Sequence, residues 1–208
     1  MNNKPILFSG EMIRALLDGR KTQTRRIMKP QPPSNITDEH EILNPDSANL
    51  AWFGFWGCEG FDQYDPSNCL DYEATCPYGQ PGDYLWVRES FQEVVISQIG
   101  TEEKETDVEY RADSTNFNGP WKPSIFMPRW ASRLTLKITD VRVEHLHSIT
   151  YIDAVSEGVT YDKGFSDPRE SFRRLWDSIN GNWSENPWVW VIEFEVIKKN
   201  IDEVLEHD

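Results

Sequence analysis

The stretch Gly19-Arg20-Lys21-Thr22-Gln23-Thr24-Arg25-Arg26 is the most informative part of this 208-residue chain. Residues 4–8 before it have the composition of a short strand, and residues 11–17 have that of a helix. Ser9 is a suitable N-cap for this helix, and Gly19 stands where a glycine commonly ends one. We therefore expect the eight residues from Gly19 to form an extended basic loop directly after the helix.

Lys21 and Thr24 are close enough in sequence to converge on one ligand. Neighbouring arginines disfavour the ammonium form of a lysine, and burial would lower its pKa further. Such a lysine can take the proton of a threonine hydroxyl, which is how a nucleophile is activated for covalent catalysis. The alternative is a solvated basic turn whose threonines make only backbone hydrogen bonds.

The rest of the chain favours an α+β fold over a doubly wound sheet, because strand patterns dominate and do not alternate with helices. Strand composition or apolar–polar alternation occurs at residues 84–89, 108–111, 133–143 and 188–197. Thr150 with Asp153 forms a capping-box pattern, and Asp167-Pro168 opens a further helix. We expect about three short helices.

Two regions lack clear periodicity. Residues 31–80 are rich in proline, glycine, asparagine and aromatic residues, and we expect an ordered insertion there, with residues 51–57 as a strand or an aromatic flap. Residues 199–208 form a polar tail, loose or weakly helical. Residues 1–198 are expected to form a single domain.

The charge is unevenly distributed. The chain has a net charge of −14, yet residues 1–30 hold seven basic and two acidic residues, which leaves 14 basic and 33 acidic residues elsewhere. A cluster of basic residues on an otherwise acidic chain is better suited to binding a single anion or nucleotide than to extended contact along a phosphate backbone. The three cysteines and the absence of a long apolar run or secretory signal predict a cytoplasmic protein without membrane contact.

Metal and cofactor motifs are not found in the sequence. Cys58, Cys69 and Cys76 lack the spacing of a zinc knuckle, and His145 and His147 have no third ligand at a suitable spacing. There is no phosphate-binding glycine loop and no dinucleotide fingerprint. We expect neither a metal nor a cofactor.

The basic segment resembles the signature loop of the ASCH domain, a branch of the PUA-like superfamily of small mixed β-barrels. Three more segments resemble that family's motifs in the family's order: Gly82-Asp83-Tyr84-Leu85-Trp86-Val87, Asp153-Ala154-Val155-Ser156-Glu157-Gly158 and Val189-Trp190-Val191-Ile192-Glu193-Phe194. The resemblance spans residues 4–197 and implies a PUA-like barrel in which residues 31–80 and 90–130 are insertions. Residues 76–79 and 127–132 further resemble a set of phage and prophage proteins, which implies a phage-encoded protein in a bacterial host.

The resemblance also implies a function. Some ASCH proteins bind RNA, and one small bacterial branch hydrolyses N4-acetylcytidine to cytidine and acetate with a lysine, a threonine and a glutamate. The residues at the matching positions are Lys21, Thr24 and Glu157. In this reading Thr24 attacks the acyl carbon, Lys21 is the base, and Glu157 protonates the leaving amine or positions water.

Hydrolysis of an N4-acyl cytidine is therefore the leading hypothesis. The first alternative is a non-catalytic reader of RNA, single-stranded nucleic acid or a modified base, and the second is an interaction or morphogenesis protein of a virion. Basic and aromatic side chains are the candidates for binding a pyrimidine nucleoside or nucleic acid. They are Arg20, Thr22, Arg25, Arg26, Trp52, Trp56, Arg129 and Trp130, with Trp183 as a further stacking candidate.

Overall fold

A computed structural model of the chain describes residues 2–33, 41–43, 52–58, 69–97, 104–114, 119–160 and 167–206. The strands in these ranges are β1 (Asn3–Leu7), β2 (Gln23–Ile27), β3 (Glu41–Leu43), β4 (Trp52–Cys58), β5 (Cys69–Thr75), β6 (Tyr84–Arg88), β7 (Phe91–Ser97), β8 (Lys104–Tyr110), β9 (Thr135–His145) and β10 (Trp188–Ile197). The α-helices are α1 (Gly10–Leu17), α2 (Tyr151–Ser156), α3 (Pro168–Ile179) and α4 (Ile201–Leu205). Short 3-10 turns lie at Ser124–Phe126, Arg129–Ala131, Leu146–Ser148 and Trp183–Glu185.

The core is a five-stranded sheet in the order β1-β6-β9-β10-β2. β1 pairs with β6 in parallel, and the other neighbours are antiparallel. The strands predicted at residues 133–143 and 188–197 are confirmed as β9 and β10, and the α+β class is confirmed as well. A fourth helix, α4, lies in the tail predicted to be at most weakly helical.

The prediction of a closed barrel is wrong. β1 and β2 are the two edges of an open sheet, and no backbone ladder joins them in the described part of the chain. The helix that connects them, α1, buries Ile13 and Leu16 in the core instead of leaving the two strands free to pair. A side chain spans the gap, because Arg26 of β2 donates to the carbonyl of Leu7 in β1 at 2.8 Å.

Both faces of the sheet are covered, which explains the nearly continuous apolar sequence of β10. Trp190 and Ile192 pack on the side of α1. Val189 and Val191 pack against Phe172 and other residues on the side of α2 and α3. A strand buried on both faces loses the simple apolar–polar alternation.

The two expected insertions carry structure of their own. β3, β4 and β5 form a three-stranded antiparallel sheet, so the backbone of residues 52–58 is a strand. β7 and β8 form a hairpin. Arg133 anchors its base through ion pairs with Glu89, at 2.8 Å, and with Asp113.

The polar tail contributes to the core. Asn200 caps α4 by accepting a hydrogen bond from the backbone N–H of Asp202. Ile201 is fully buried against Tyr84 and Trp86 of β6. In the described residues, no helix is long and apolar enough to cross a membrane.

Candidate functional site

Most of the predicted basic loop is an edge strand. Gln23–Ile27 form β2, which pairs with Glu193 to Val189 of β10. Side chains directly opposite each other in antiparallel strands point to the same face. Thr24 and Arg26 therefore share the α1 side with Ile192 and Trp190, whereas Arg25 shares the α2 and α3 side with Val191.

A buried ion pair joins the basic segment to the end of α2. The Lys21 Nζ donates to the Glu157 Oε2 at 2.8 Å, to the Glu157 carbonyl at 2.9 Å and to the Gln23 carbonyl at 2.7 Å. The two residues are 0% and 3% exposed. Lys21 and Glu157 also form an isolated antiparallel bridge, so backbone and side chains fix the pair.

The surroundings of Lys21 lower its pKa below the ordinary value of a lysine. Burial lowers the pKa of Lys21, while the charge and hydrogen bond of Glu157 raise it. Arg26 and Arg25 lower it further. An ammonium has three N–H donors, and the three contacts of Lys21 occupy all of them. The hydroxyl of Thr24 is not among its hydrogen-bond partners.

Glu157 is held in place by the local structure of α2. Thr150 and Asp153 form the predicted capping box at the start of this helix. Gly158 follows Glu157 with a φ of +81°, and a Cβ there would stand 2.8 Å from the Cβ atoms of Ala15 and Lys21. Only a glycine therefore allows the chain to turn so close to the ion pair.

Arg25 is neutralised by carboxylates from distant parts of the chain. Its guanidinium lies 2.9 Å from Glu144 and 3.4 Å from both Asp153 and Glu157. Its side chain has no solvent exposure. Arg142 extends the network to Glu144 and Asp153 at 2.6 and 3.2 Å. Arg25 therefore ties β2 to α2 and β9.

A cleft of about 300 Å³ lies along the free edge of β2, between α1 and α3. It brings together four of the predicted site residues, namely Thr24, Arg25, Arg26 and Glu157. Lys21 does not line the cleft. It is connected to the cleft by its ion pair with Glu157, which does. The other lining residues are Met12, Ile27, Lys29, Pro77, Tyr78, Phe172, Leu175, Trp176, Ile179 and Asn180.

The open strand edge supplies backbone groups to this cleft. Thr22 accepts from the N–H of Phe194, and Met28 donates to Trp188, so even-numbered residues hydrogen-bond to β10. The N–H and C=O groups of the odd-numbered residues point to the free edge instead. The Gln23 carbonyl is taken by Lys21. Arg25 and Ile27 therefore present their backbone N–H and C=O groups to the cleft.

Arg26 has few contacts for a half-buried cation. It donates to the Leu7 carbonyl, and its guanidinium lies 5.1 Å from the centre of the Phe8 ring. Its Nε is shielded from solvent and has no hydrogen-bond partner among the described residues. Burial lowers the pKa of Arg26, whereas Tyr78 and Glu157 raise it.

Four other predicted binding residues lie elsewhere. Arg20 and Thr22 line a separate depression of about 520 Å³. Arg20 there pairs with Asp18 at 3.0 Å. Arg129 lies in a 3-10 turn, paired with Asp202 at 2.7 Å. Trp130 beside it is 55% exposed, and neither of these two lines the cleft.

The remaining tryptophan candidates are Trp52, Trp56 and Trp183, of which only Trp183 has a described side chain. The backbones of Trp52 and Trp56 lie in β4, but their side chains are outside the described residues. Trp183 packs its ring against His147 and Phe172, with centroid distances of 4.8 and 6.2 Å. Its ring contacts place it beside the α3 side of the core.

Ten of the cleft residues were not predicted from the sequence as site residues, and Tyr78, Trp176 and Lys29 among them carry an aromatic ring or a charge that a ligand could use. Tyr78 lies in residues 76–79, where the resemblance to phage proteins was the available signal. Trp176 belongs to the apolar stripe of α3, which predicted core packing and also reaches the cleft. Nothing in the sequence other than its charge indicated that Lys29 belongs to the site.

The described residues contain no cluster of three or more histidine, cysteine or acidic side chains suited to a metal ion. Comparison of the chain with protein-family models, curated proteins and solved structures finds no match.

Proposed function

We propose that this protein is an ASCH-type enzyme that binds a cytidine-type nucleoside in the β2 cleft and hydrolyses its N4-acyl amide. The observation that carries the proposal is the shared cleft of Thr24 and Glu157, with Lys21 fixed to the Glu157 carboxylate at 2.8 Å. Glu157 is 136 residues from Lys21 in the sequence, and the fold joins the two through this ion pair.

The buried ion pair offers both an acid and a base. A proton shift along the hydrogen bond from Lys21 to Glu157 gives a neutral amine and a carboxylic acid, which are the base and the acid that the reaction needs. The Lys21 amine then takes the Thr24 proton as the Thr24 oxygen adds to the acyl carbon. The C–N4 bond breaks, Glu157 protonates the leaving amine, and water releases the acid from Thr24.

The cleft walls support a planar base as the ligand. The backbone N–H and C=O groups of Arg25 and Ile27 offer donors and acceptors for the edge of a base. Tyr78 and Trp176 supply aromatic surface in the same cleft. A volume of about 300 Å³ is at the lower end of small-molecule pockets, which fits a nucleoside.

The test is incubation of the purified protein with N4-acetylcytidine, followed by chromatography of the products. Thr24→Val removes the hydroxyl at nearly constant volume, and we expect turnover to fall by at least about 1,000-fold, as when a nucleophile is lost. Thr24→Ser keeps a hydroxyl and should retain part of the activity. Thr139→Val, at an exposed strand position of β9, is the matched control. Full turnover by Thr24→Val would refute the mechanism.

A second candidate is a non-catalytic reader of RNA or a modified base. The observation that favours it is the full use of the three Lys21 protons, which makes the ion pair a structural tie in the state described. A reader binds an oligonucleotide more tightly than a free nucleoside, with an affinity that falls as salt is added. Fluorescence titration at two salt concentrations, without turnover of N4-acetylcytidine, would identify this function.

A further inference from the structure

We propose that Arg26 is an anion-binding residue and that the cleft takes a nucleoside monophosphate, with the phosphate paired to this guanidinium. The nucleoside part rests on the proposed function. The anion subsite rests on the contacts of Arg26 itself.

The first observation is the missing counter-charge. No carboxylate forms an ion pair with Arg26 within the described residues, and its solvent-shielded Nε has no acceptor. The carbonyl of Leu7 and the ring of Phe8 are its main contacts. Shielded cations are normally paired and hydrogen-bonded, because a lost hydration shell must be replaced. An anion in the cleft would supply what Arg26 lacks.

Arg25 shows that the fold supplies counter-charges to a buried arginine, although the Nε of Arg25, like that of Arg26, has no hydrogen-bond partner among the described residues. It precedes Arg26 on the same strand and contacts three carboxylates, those of Glu144, Asp153 and Glu157. The acidic body of this protein, with its net charge of −14, therefore does not lack carboxylates to pair. Both arginines line the cleft, but only Arg25 has carboxylate partners among the described residues.

The charges around the cleft favour a phosphate monoester. Lys29 adds a second cation to the lining. The lining carboxylate, Glu157, is already compensated by Lys21 and by Arg25. Tyr78 lines the same cleft and carries a hydroxyl donor. A guanidinium binds phosphate oxygens through parallel N–H donors, which a hydroxyl of a free nucleoside cannot match.

The experiment compares three probes by calorimetric titration: cytidine, cytidine 5′-monophosphate and inorganic phosphate. Four proteins are used, namely the unchanged chain, Arg26→Gln, Arg26→Lys and Arg174→Gln. Gln keeps a polar side chain at this position but carries no charge. Arg174 is the control, because it is an exposed arginine of α3 paired with Glu170. Arg26→Lys is the second variant, which keeps the charge without the fork of donors.

We expect the monophosphate to bind about 10- to 100-fold more tightly than cytidine, the effect of one or two charge-assisted hydrogen bonds. In Arg26→Gln the monophosphate should lose its advantage over cytidine, and a melting temperature like that of the unchanged chain would show that the variant is folded. Arg26→Lys should retain part of the difference between the affinities for the monophosphate and for cytidine. Arg174→Gln should retain all of that difference. Added salt should weaken only the monophosphate.

The outcomes separate this inference from the proposed function. Equal binding of cytidine and its monophosphate by the unchanged chain overturns the phosphate subsite and leaves the nucleoside site standing. If neither nucleoside binds but inorganic phosphate raises the melting temperature of the unchanged chain and not of Arg26→Gln, the proposed function fails and the anion subsite stands. No effect of any probe overturns both.

Discussion

At the scale of single residues, Lys21 is the side chain on which both the local structure and the proposed chemistry depend. It is fully buried, and its partners come from its own strand segment and from the end of α2. Replacing one member of such a pair leaves a charge in the interior without its partner. Replacing Lys21 is therefore expected to lower both the stability of the fold and the proposed activity, because the ion pair with Glu157 serves both.

Lys21→Met should lower the free energy of unfolding by about 3–5 kcal/mol, because it leaves the Glu157 carboxylate with only the longer contact to Arg25. Glu157→Gln in the Lys21→Met background should cost much less than Glu157→Gln alone, since no ammonium then remains to be orphaned. Urea unfolding of the four proteins in this cycle measures the coupling. Additive losses would show that the pair does not stabilise the fold.

Two glycines with a positive φ allow a matched comparison. Gly19 has a φ of +71° and nothing within 4 Å of an added Cβ, whereas at Gly158 that atom would lie 2.8 Å from Ala15 and Lys21. Gly19→Ala should cost about 1 kcal/mol from backbone strain alone. Gly158→Ala adds a steric clash and should cost clearly more, as urea unfolding would show. Equal losses would contradict the close packing described here.

At the scale of secondary-structure elements, α2 is a six-residue helix that carries Glu157 at its C-cap position. So short a helix has little stability of its own and depends on its cap and on packing. The capping box of Thr150 and Asp153 and the ion pairs of Asp153 with Arg25 and Arg142 supply both. Contacts made at the N-terminal end of α2 therefore help to fix Glu157, which lies at the C-terminal end of that helix.

The contacts of Asp153 predict how the stability of the fold depends on pH. Burial raises the pKa of Asp153, but hydrogen bonds from Thr150 and the charge of Arg25 outweigh it, so the pKa lies below its usual value of 3.8. The unfolded chain then binds the proton first, and the stability that Asp153 contributes is lost as the pH falls below about 4. Between about pH 5 and pH 2, Asp153→Asn should lose less free energy of unfolding than the unchanged chain. A parallel loss in both proteins would disprove the role of this carboxylate.

The sequence predicted some elements well and others poorly, for physical reasons. The cap at Ser9, the box at Thr150 and the strand at residues 188–197 depend on local patterns, and all three are observed. β2 was expected to be a loop, because two adjacent arginines suggest solvent. The carboxylate of Glu144 that neutralises Arg25 is 119 residues away in sequence, and no local pattern reveals that contact.

The sequence also predicted some of the residues of the site and missed others. Thr24, Arg25, Arg26 and Glu157 were assigned by motif, and they line one cleft. The difference between Arg25 and Arg26 was not predictable, since it depends on which strand face each occupies and on what covers that face. Trp176 was predicted to be core, because a helical stripe does not show where a core ends and a cleft begins.

At the scale of the whole molecule, the cleft at the β2 edge of the sheet and the packing of α4 lie on different strands. The cleft follows β2, and α4 packs on β6, three strands away in the sheet. Contacts at the β6 side, such as Ile201 with Tyr84 and Trp86, should therefore stabilise the fold without shaping the cleft.

Ile201→Ala should lower the free energy of unfolding by about 2–4 kcal/mol, as for other buried aliphatic truncations, with ligand affinity unchanged. Ile152→Ala is the control, because Ile152 is 74% exposed and its truncation should cost little. Urea unfolding and the cytidine titration provide the two measurements. A fall in affinity that matches the fall in stability would show that the cleft and the packing of α4 are coupled.

The pairing of β2 with β10 has a consequence for synthesis on the ribosome. Ile27 pairs with Val189, so roughly 160 residues must be added after β2 before its partner exists. At about 5–20 residues per second, the basic segment waits on the order of ten seconds or longer as unpaired nascent chain. For most of that time Arg25 has none of its carboxylate partners, which lie at residues 144, 153 and 157. Translation that stops before β10 therefore yields a chain without the cleft, and the last strand to be made completes the site begun by one of the first.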